Sequence, residues 1–500
     1  MSGSKNTAKY LLGIDVGTTG TKSLLFREDG QLMGQAYRGY PMHNSKVGYS
    51  EQNAEDWWNA VVDTVREVCA SKEVSANVAA ISLSLQGGTV VPVDQKGDPL
   101  RLAMVWNDSR CADQKNAFLE AFGDASVLYE KTGWSLFEGL PLMQIRWIKE
   151  NEPEIFAKTH KFLTVPDYIT YRMTGKAAID MADVGINQLV DIRARRYDPE
   201  LLAFAGIDES KLPSLVSSGE VIGNLTPEAA ERLGLTTDTL LVAGAHDQYA
   251  VALGAGAMQE GDILIGSGTS WVVTSISDNP DFASGLSISI SAVPGKWGSL
   301  EELSCGGVYM DWWRKKLTVD ANGEPIPYEV INREASLRRA AEDGLYFFPG
   351  TGLSGEHSHL QKTTFFGLDL SHDRYHMIRA IMEGIAFQIV WILGHFRNKP
   401  SQQQGLILSG GASKSALWSQ LVADIANLPV RIPEVPDLAC IGAAILAGVG
   451  CGLYRDLAEG YKTLAVPDKV ILPNPEQAEK YRVYLEKYQK TAALMGQAEK

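Results

Sequence analysis

Cysteine is scarce in this chain. Cys69, Cys111, Cys305, Cys440 and Cys451 are odd in number, and their spacing suits neither a disulfide framework nor a zinc site. A reducing cytoplasm is the expected home. Positive charge is also in deficit. Against 60 Asp and Glu stand 46 Lys and Arg, a formal net charge of −14. That balance excludes a broad nucleic-acid surface, which needs basic residues. It leaves room for a local phosphate site, because backbone amides and a metal ion can supply the positive field. Long apolar runs are missing too. The first residues, MSGSKNTAKY, lack the apolar core of a signal peptide and are expected to fray. Only 438–454 (LACIGAAILAGVGCGLY) hints at a membrane. It is shorter than the ~20 residues a span needs and carries four glycines, so it reads as a closely packed buried helix. No membrane partner is expected. No short-period repeat and no Walker loop is present. The Walker pattern puts Lys-Ser/Thr directly after its second glycine, whereas here Lys22 takes that glycine's place. Lys22 therefore reads as a strand-side surface residue.

What the chain does have is length and glycine. Its 500 residues are too many for one ordinary core, so two large domains are expected. Strand-like runs such as Tyr10–Ile14, Ser23–Phe26, Val78–Leu85 and Leu240–Ala243 alternate with helix-like segments. Asn53–Cys69 is one such helix, with Asn53 as N-cap and Trp57, Val61 and Val65 at helical spacing. The alternation predicts mixed α/β layers. A glycine-rich stretch at 254–261 sets the expected boundary. Residues 1–9 form a tail and 10–254 the first domain, with a helix-rich insertion at about 110–222 walling a cleft. Residues 255–460 form the second domain and 461–500 a helical tail.

The most informative segment is 11–22, LLGIDVGTTGTK. An apolar strand ends in Asp15, a turn of Gly17, Thr18, Thr19 and Gly20 follows, and a second strand begins. This predicts a hairpin whose turn offers N–H groups and hydroxyls to an anion, with Asp15 placed to hold a hydrated metal ion. An ordinary polar turn is the alternative. The pattern returns at 262–270, DILIGSGTS, through Gly266, Ser267, Gly268 and Thr269. Two such loops, half a chain apart, suggest related domains facing one nucleotide.

Three further clusters stand out. In AGAHDQ (243–248), Asp247 follows an apolar strand and opens a helix, where α/β proteins place ligands. It could accept a proton from an attacking hydroxyl. Helix capping is the rival reading, and His246 reads as structural. In SGGASKS (409–415), Gly410, Gly411 and Ala412 allow a flat ring to lie on the backbone before a helix. Gln86, Trp106, Asn107 and Asp108 interrupt apolar strands and could hydrogen-bond a polyol, with Tyr49–Gln52 as a further contributor. Glu356, His357 and His359 read as a solvated loop rather than a metal site.

In this order, DVGTTGTK, YSEQ, WNDSR, AGAHDQ, GSGTSW and LSGGASKSALWSQLVADI, the chain resembles the FGGY family of carbohydrate kinases from about Tyr10 to Tyr454. The WNDSR and YSEQ segments look most like xylulokinases and related ketose kinases. The resemblance implies two actin-like (ribonuclease-H-like) ATPase domains, with sugar and ATP in the cleft between them. Asp15 matches the aspartate associated with Mg²⁺, and Gly17, Thr18 and Thr19 the first phosphate loop. Gly266, Ser267, Gly268 and Thr269 match the second phosphate loop. Gly410, Gly411 and Ala412 match the adenosine turn, and Gly442 a helix closing the nucleotide side. Asp247 matches the catalytic base and Gln248 its neighbour on the substrate side. Gln86, Asn107 and Asp108 are the expected sugar contacts.

Two departures concern the sugar. Gln86-Gly87-Gly88-Thr89 stands where xylulokinases commonly have Gln-Met-His-Gly, which implies a wider pocket. His246-Asp247-Gln248 replaces Gly-Asp-Asn. The expected activity is ATP-dependent phosphorylation of a terminal hydroxyl of a small sugar, with a ketopentose such as xylulose first. Another ketose, or a polyol such as glycerol or erythritol, stays open. An actin- or Hsp70-like ATPase is the rival, but a peptide-binding chaperone would need an added β domain after Tyr454. A sugar-sensing relative is a second rival. A homodimer is neither required nor excluded.

Overall fold

The computed structural model describes residues 8–303, 306–350, 362–465 and 467–498. Cys305 and the Glu356–His359 loop lie outside the described residues.

Two sheets organise the chain. The first is built from β1 (Tyr10–Val16), β2 (Gly20–Arg27), β3 (Leu32–Gly39), β4 (Val78–Leu85), β5 (Val221–Asn224) and β6 (Leu240–His246). Their spatial order is β5-β6-β4-β1-β2-β3. β1 and β2 form the antiparallel hairpin expected from the glycine turn, and β4 and β6 run parallel to β1. The second sheet contains β7 (Ile263–Ser267), β8 (Trp271–Ser277), β9 (Ser287–Ile290), β10 (Trp297–Leu303), β11 (Leu406–Gly410), β12 (Val430–Ile432) and β13 (Lys469–Ile471). Its order is β9-β10-β8-β7-β11-β12-β13. Again a hairpin, β7-β8, has a parallel strand, β11, on its free side. The centres of the two sheets thus share one topology.

Helix α1 (Ala54–Val68) covers one face of the first sheet. Asn53 caps it by accepting from the Glu55 amide, and Trp57, Val61 and Val65 are buried. Burying each such side chain contributes roughly 1.5–3 kcal/mol. The opposite face is covered by α2 (Asp247–Gly254) and by a helix from much later in the chain. Two helices, α3 (Arg374–Leu393) and α4 (Ala416–Ala426), pack on the second sheet, and the later one, α5 (Leu438–Gly450), crosses back to the first. Its small residues explain how. A β-carbon on Gly13 would lie 1.8 Å from the Cys440 carbonyl oxygen, and one on Gly442 would lie 2.0 Å from that of Ala250. Backbone meets backbone here. The segment read as closing the nucleotide side is therefore packed at the base of the cleft, on β1, β4 and α2.

By length and hydropathy α3 passes for a membrane span, but 78% of its most apolar window is buried in the second domain. The C-terminal tail forms the expected helix, α6 (Pro475–Ala498), and it is docked. Tyr481 and Tyr488 are buried, and the Tyr488 ring stacks on Phe348 at 4.3 Å.

The insertion bridges the cleft. Ile288 N–H donates to the Gly133 carbonyl at 2.7 Å, Tyr129 Oη to the Leu286 carbonyl at 2.7 Å, and Trp134 Nε1 to Ser289 Oγ at 3.0 Å.

Candidate active site

Three parallel strands of the first sheet end at one edge, and the key carboxylates sit there. Asp15 on β1 pairs in register with Ser84 on β4, and Ser84 with Ala245 on β6. Asp15 Oδ1 accepts from Ser84 Oγ at 2.7 Å. Burial pushes the Asp15 carboxyl up to about 7, helped by the charges of Asp437 and Asp247 and opposed by the Ser84 hydrogen bond. Asp15 and Asp247 therefore stand in each other's field. A pocketed carboxyl of this kind suits a cation. Mg²⁺ is commonly held by one or two carboxylates and substrate phosphates, so the single Asp15 fits. Among the described residues no group of three or more His, Cys, Asp or Glu forms a self-contained metal cage.

Asp247 is the first residue of α2, and the N-cap is His246, whose Nδ1 accepts from the Gln248 amide at 3.4 Å. The capping alternative raised for Asp247 thus falls to its neighbour, and the Asp247 side chain stays one-third exposed. His246 Nδ1 lies 3.2 Å from Asp247 Oδ1. Burial lowers the imidazole's pKa, so at neutral pH it is uncharged. Gln248 follows the base candidate on the first turn of α2. Its Oε1 is 4.0 Å from where a Gly266 β-carbon would stand, toward the second glycine loop.

In the first loop Gly17 N–H donates to the Gly20 carbonyl at 3.1 Å, closing the turn. The Thr18 hydroxyl is turned toward Gln86 and Trp106. It donates to Gln86 Oε1 at 3.0 Å and accepts from Trp106 Nε1 at 3.3 Å. Gln52 Nε2 donates to the Thr18 carbonyl at 2.6 Å, while Gln52 Oε1 accepts from Gln86 Nε2 and Trp57 Nε1. Through Gln52 the YSEQ segment is thus a strut joining α1, the Gly17–Thr19 turn and Gln86. Thr19 is exposed, and its carbonyl accepts from the Tyr40 amide.

In the second half Ser267 is a clasp. Its carbonyl accepts from the Gly411 amide at 2.6 Å, its hydroxyl accepts from the Ala412 amide at 3.0 Å, and the hydroxyl donates to the Ser409 carbonyl. Gly410 has φ +88°, and a β-carbon there would meet the Ser267 carbonyl at 2.6 Å, so only glycine fits. The Gly266–Thr269 loop and the Gly410–Ala412 turn are one hydrogen-bonded unit. Gly268 and Thr269 are exposed at its tip.

Three expectations need correction. Asp108 is fully buried and its carboxylate is saturated by the Ser50 and Arg110 amides and by the Arg110 guanidinium, so it braces the loop and is closed to a sugar. Asn107 beside it is exposed. The pocket at Gly87-Gly88 is not widened. A β-carbon on Gly87 would lie 2.7 Å from Asp183 Oδ1 and from Ile186 Cγ2. Gly88 has φ +72°, with Leu140 and Trp106 at 3.0 and 3.1 Å. Neighbouring side chains have taken the space. Lys22 is no plain surface residue either: it stands opposite Asp15 in the hairpin and forms an ion pair with Asp437, the N-cap of α5. Its partner lies far away in sequence, and only a hairpin register opposite Asp15 could have hinted at it.

Two copies of one hairpin-and-parallel-strand unit, joined at the base and sharing a carboxylate-lined cleft, define the actin-like class of ATP-using phosphotransferases. The chain belongs to the FGGY family of carbohydrate kinases. That family's N-terminal domain model matches residues 10–254 and its C-terminal domain model residues 263–451. The chain is 30% identical over 487 residues to a xylulose kinase of Bacillus subtilis, covering 96% of each. It is also 30% identical to a gluconokinase of the same organism, covering 89% of this chain and 87% of that one. Its fold superposes on a crystal structure of xylulose kinase from Rhodospirillum rubrum with a TM-score of 0.89 at 26% identity, over 97% of this chain and 99% of that one. The protein is a sugar kinase, a transferase that phosphorylates a sugar with ATP.

Proposed function

We propose that this kinase phosphorylates a terminal hydroxyl of a neutral ketose, xylulose first, with Asp247 as the base. The observation that carries the reading is the Asp247 carboxylate: partly exposed, excused from capping by His246, and coupled through space to Asp15. The sugar lies along Gln86 and Trp106 with its terminal hydroxyl at Asp247, which takes the hydroxyl proton. The turn at Gly17–Thr19, closed by the Gly17 N–H on the Gly20 carbonyl, offers the Thr18 and Thr19 N–H groups to the phosphates, and the loop at Gly266–Thr269 faces them from the second domain. The adenosine lies on Gly410–Ala412, where Ser267 holds the turn flat. Asp15 would hold Mg²⁺, which supplies positive charge to the phosphates when bound. Closure excludes water, the competing acceptor.

Preference for a neutral sugar over an aldonate such as gluconate is supported by the charge pairing on this side of the cleft. Arg110 is bound by Asp108 and Glu51, Arg101 by Glu51 and Glu152, and Lys22 by Asp437. A substrate carboxylate would have to displace one of these partners. The four described cysteines are unpaired, which accords with a reducing cytoplasm.

The test is ADP release with a panel of pentuloses, hexuloses, polyols and aldonates. A neutral ketose should give the highest kcat/KM. Preference for gluconate would overturn the substrate assignment, and steady ATP hydrolysis indifferent to every sugar would overturn the kinase mechanism.

A further inference from the structure

Asp183 is fully buried, and neither of its carboxyl oxygens has a hydrogen-bond partner. Buried polar groups are normally paired, and a carboxyl left unpaired opposes folding. Its neighbour Asp180 shows the ordinary arrangement, accepting from the Ala182 and Asp183 amides at 3.0 Å each. Asp183 opens the short turn Val184–Asn187 of the insertion, remote in sequence from every motif of the site.

The fold nevertheless brings it there. The site a Gly87 β-carbon would occupy lies 2.7 Å from Asp183 Oδ1 and 2.9 Å from His246 Cδ2. A side chain at 87 would be driven between the two, and the glycine keeps them facing one another. Two residues after Asp183, Gly185 abuts the Trp134 indole and Ser289 Oγ, each 3.3 Å from its own missing β-carbon. The turn is therefore enclosed by Gln86–Gly88, by His246 next to the base, and by the Trp134–Ser289 bridge.

We infer that Asp183 is a sugar-recognition residue, whose carboxyl hydrogen-bonds an oxygen of the neutral polyhydroxylated substrate held against Asp247. This rests on the sugar-kinase reading above. Burial, with the charges of Asp180 and Asp247, holds the carboxyl's pKa well above its ordinary value. A protonated acid can both donate to and accept from a hydroxyl or keto oxygen, and it stays neutral. Bound sugar would supply the partners that the protein does not.

Two variants test this, with the sugar that the panel identifies. Asp183→Leu keeps the shape and removes the polar atoms. It should raise the sugar KM about tenfold or more, as expected when a site loses a hydrogen bond to its substrate. The ATP KM should hold, and the melting temperature of the sugar-free protein should stay level or rise. Asp183→Asn keeps a neutral donor and acceptor and should restore the sugar KM to within roughly threefold. An unchanged sugar KM in Asp183→Leu would overturn the assignment. So would a fall in melting temperature or a failure to fold, because an unpartnered carboxyl cannot be what holds the turn together. Absence of turnover with any sugar would sink the proposed function as well. Normal turnover with an indifferent Asp183→Leu sinks only the role of Asp183.

Discussion

At the start of α2, His246 and Asp247 divide two tasks. The imidazole accepts the Gln248 amide, and the carboxylate is left to the cleft. Asp247→Asn keeps the shape and the helix while removing the proton acceptor. It should lower kcat by about 10²-fold or more, with sugar and ATP affinities largely retained by calorimetry. Retention of more than about a tenth of wild-type turnover would remove Asp247 from the base role. At this scale the sequence was partly legible. Asp15 and Asp247 could be singled out because each ends an apolar strand. Asp108 could not be judged, because its saturation by Arg110 and Ser50 depends on loop geometry. Asp183 carried no local signal at all.

Among the elements, the Gly266–Thr269 loop and the Gly410–Ala412 turn behave as one device through Ser267. Ser267→Ala removes the bonds to the Ala412 amide and the Ser409 carbonyl. Each is worth ~0.5–1.5 kcal/mol. The ATP KM should rise roughly threefold to tenfold while the sugar KM is unchanged, read from steady-state kinetics with each substrate varied in turn. Equal movement of both would show that the clasp supports the whole cleft and not the nucleotide half. The strand pattern revealed both hairpins, since apolar runs flanking a glycine turn permit little else. It could not reveal the clasp, which joins β7 to β11 across a gap of more than a hundred residues.

For the molecule as a whole, buried carboxyls set the response to pH. Burial pushes Asp167 up to about 7 against hydrogen bonds from Thr164, and Asp180 likewise to about 7 against backbone hydrogen bonds. Between roughly pH 4, the ordinary carboxyl value, and 7, the folded protein holds protons that the unfolded chain has released. Stability therefore falls as pH rises through that window, by up to about 1.4 kcal/mol per unit for each such group. Scanning calorimetry should show the melting temperature declining from pH 5 to 8. Asp167→Asn, which retains the capping geometry at Thr164, should flatten the decline. An unchanged slope would mean that Asp167 ionises normally in the folded state.

The amino-acid sequence by itself determined the two glycine hairpins, the helix start at Asn53, and the order of motifs that marks a sugar kinase. Those features rest on backbone freedom and hydrophobic periodicity, which act over a few residues. The tertiary structure alone decided that α5 returns to the first sheet, that Lys22 meets Asp437, that Asp108 is closed off, and that Asp183 comes to lie beside the cleft. Each joins residues distant along the chain. Such pairings depend on which surfaces are buried together, and no local pattern encodes that.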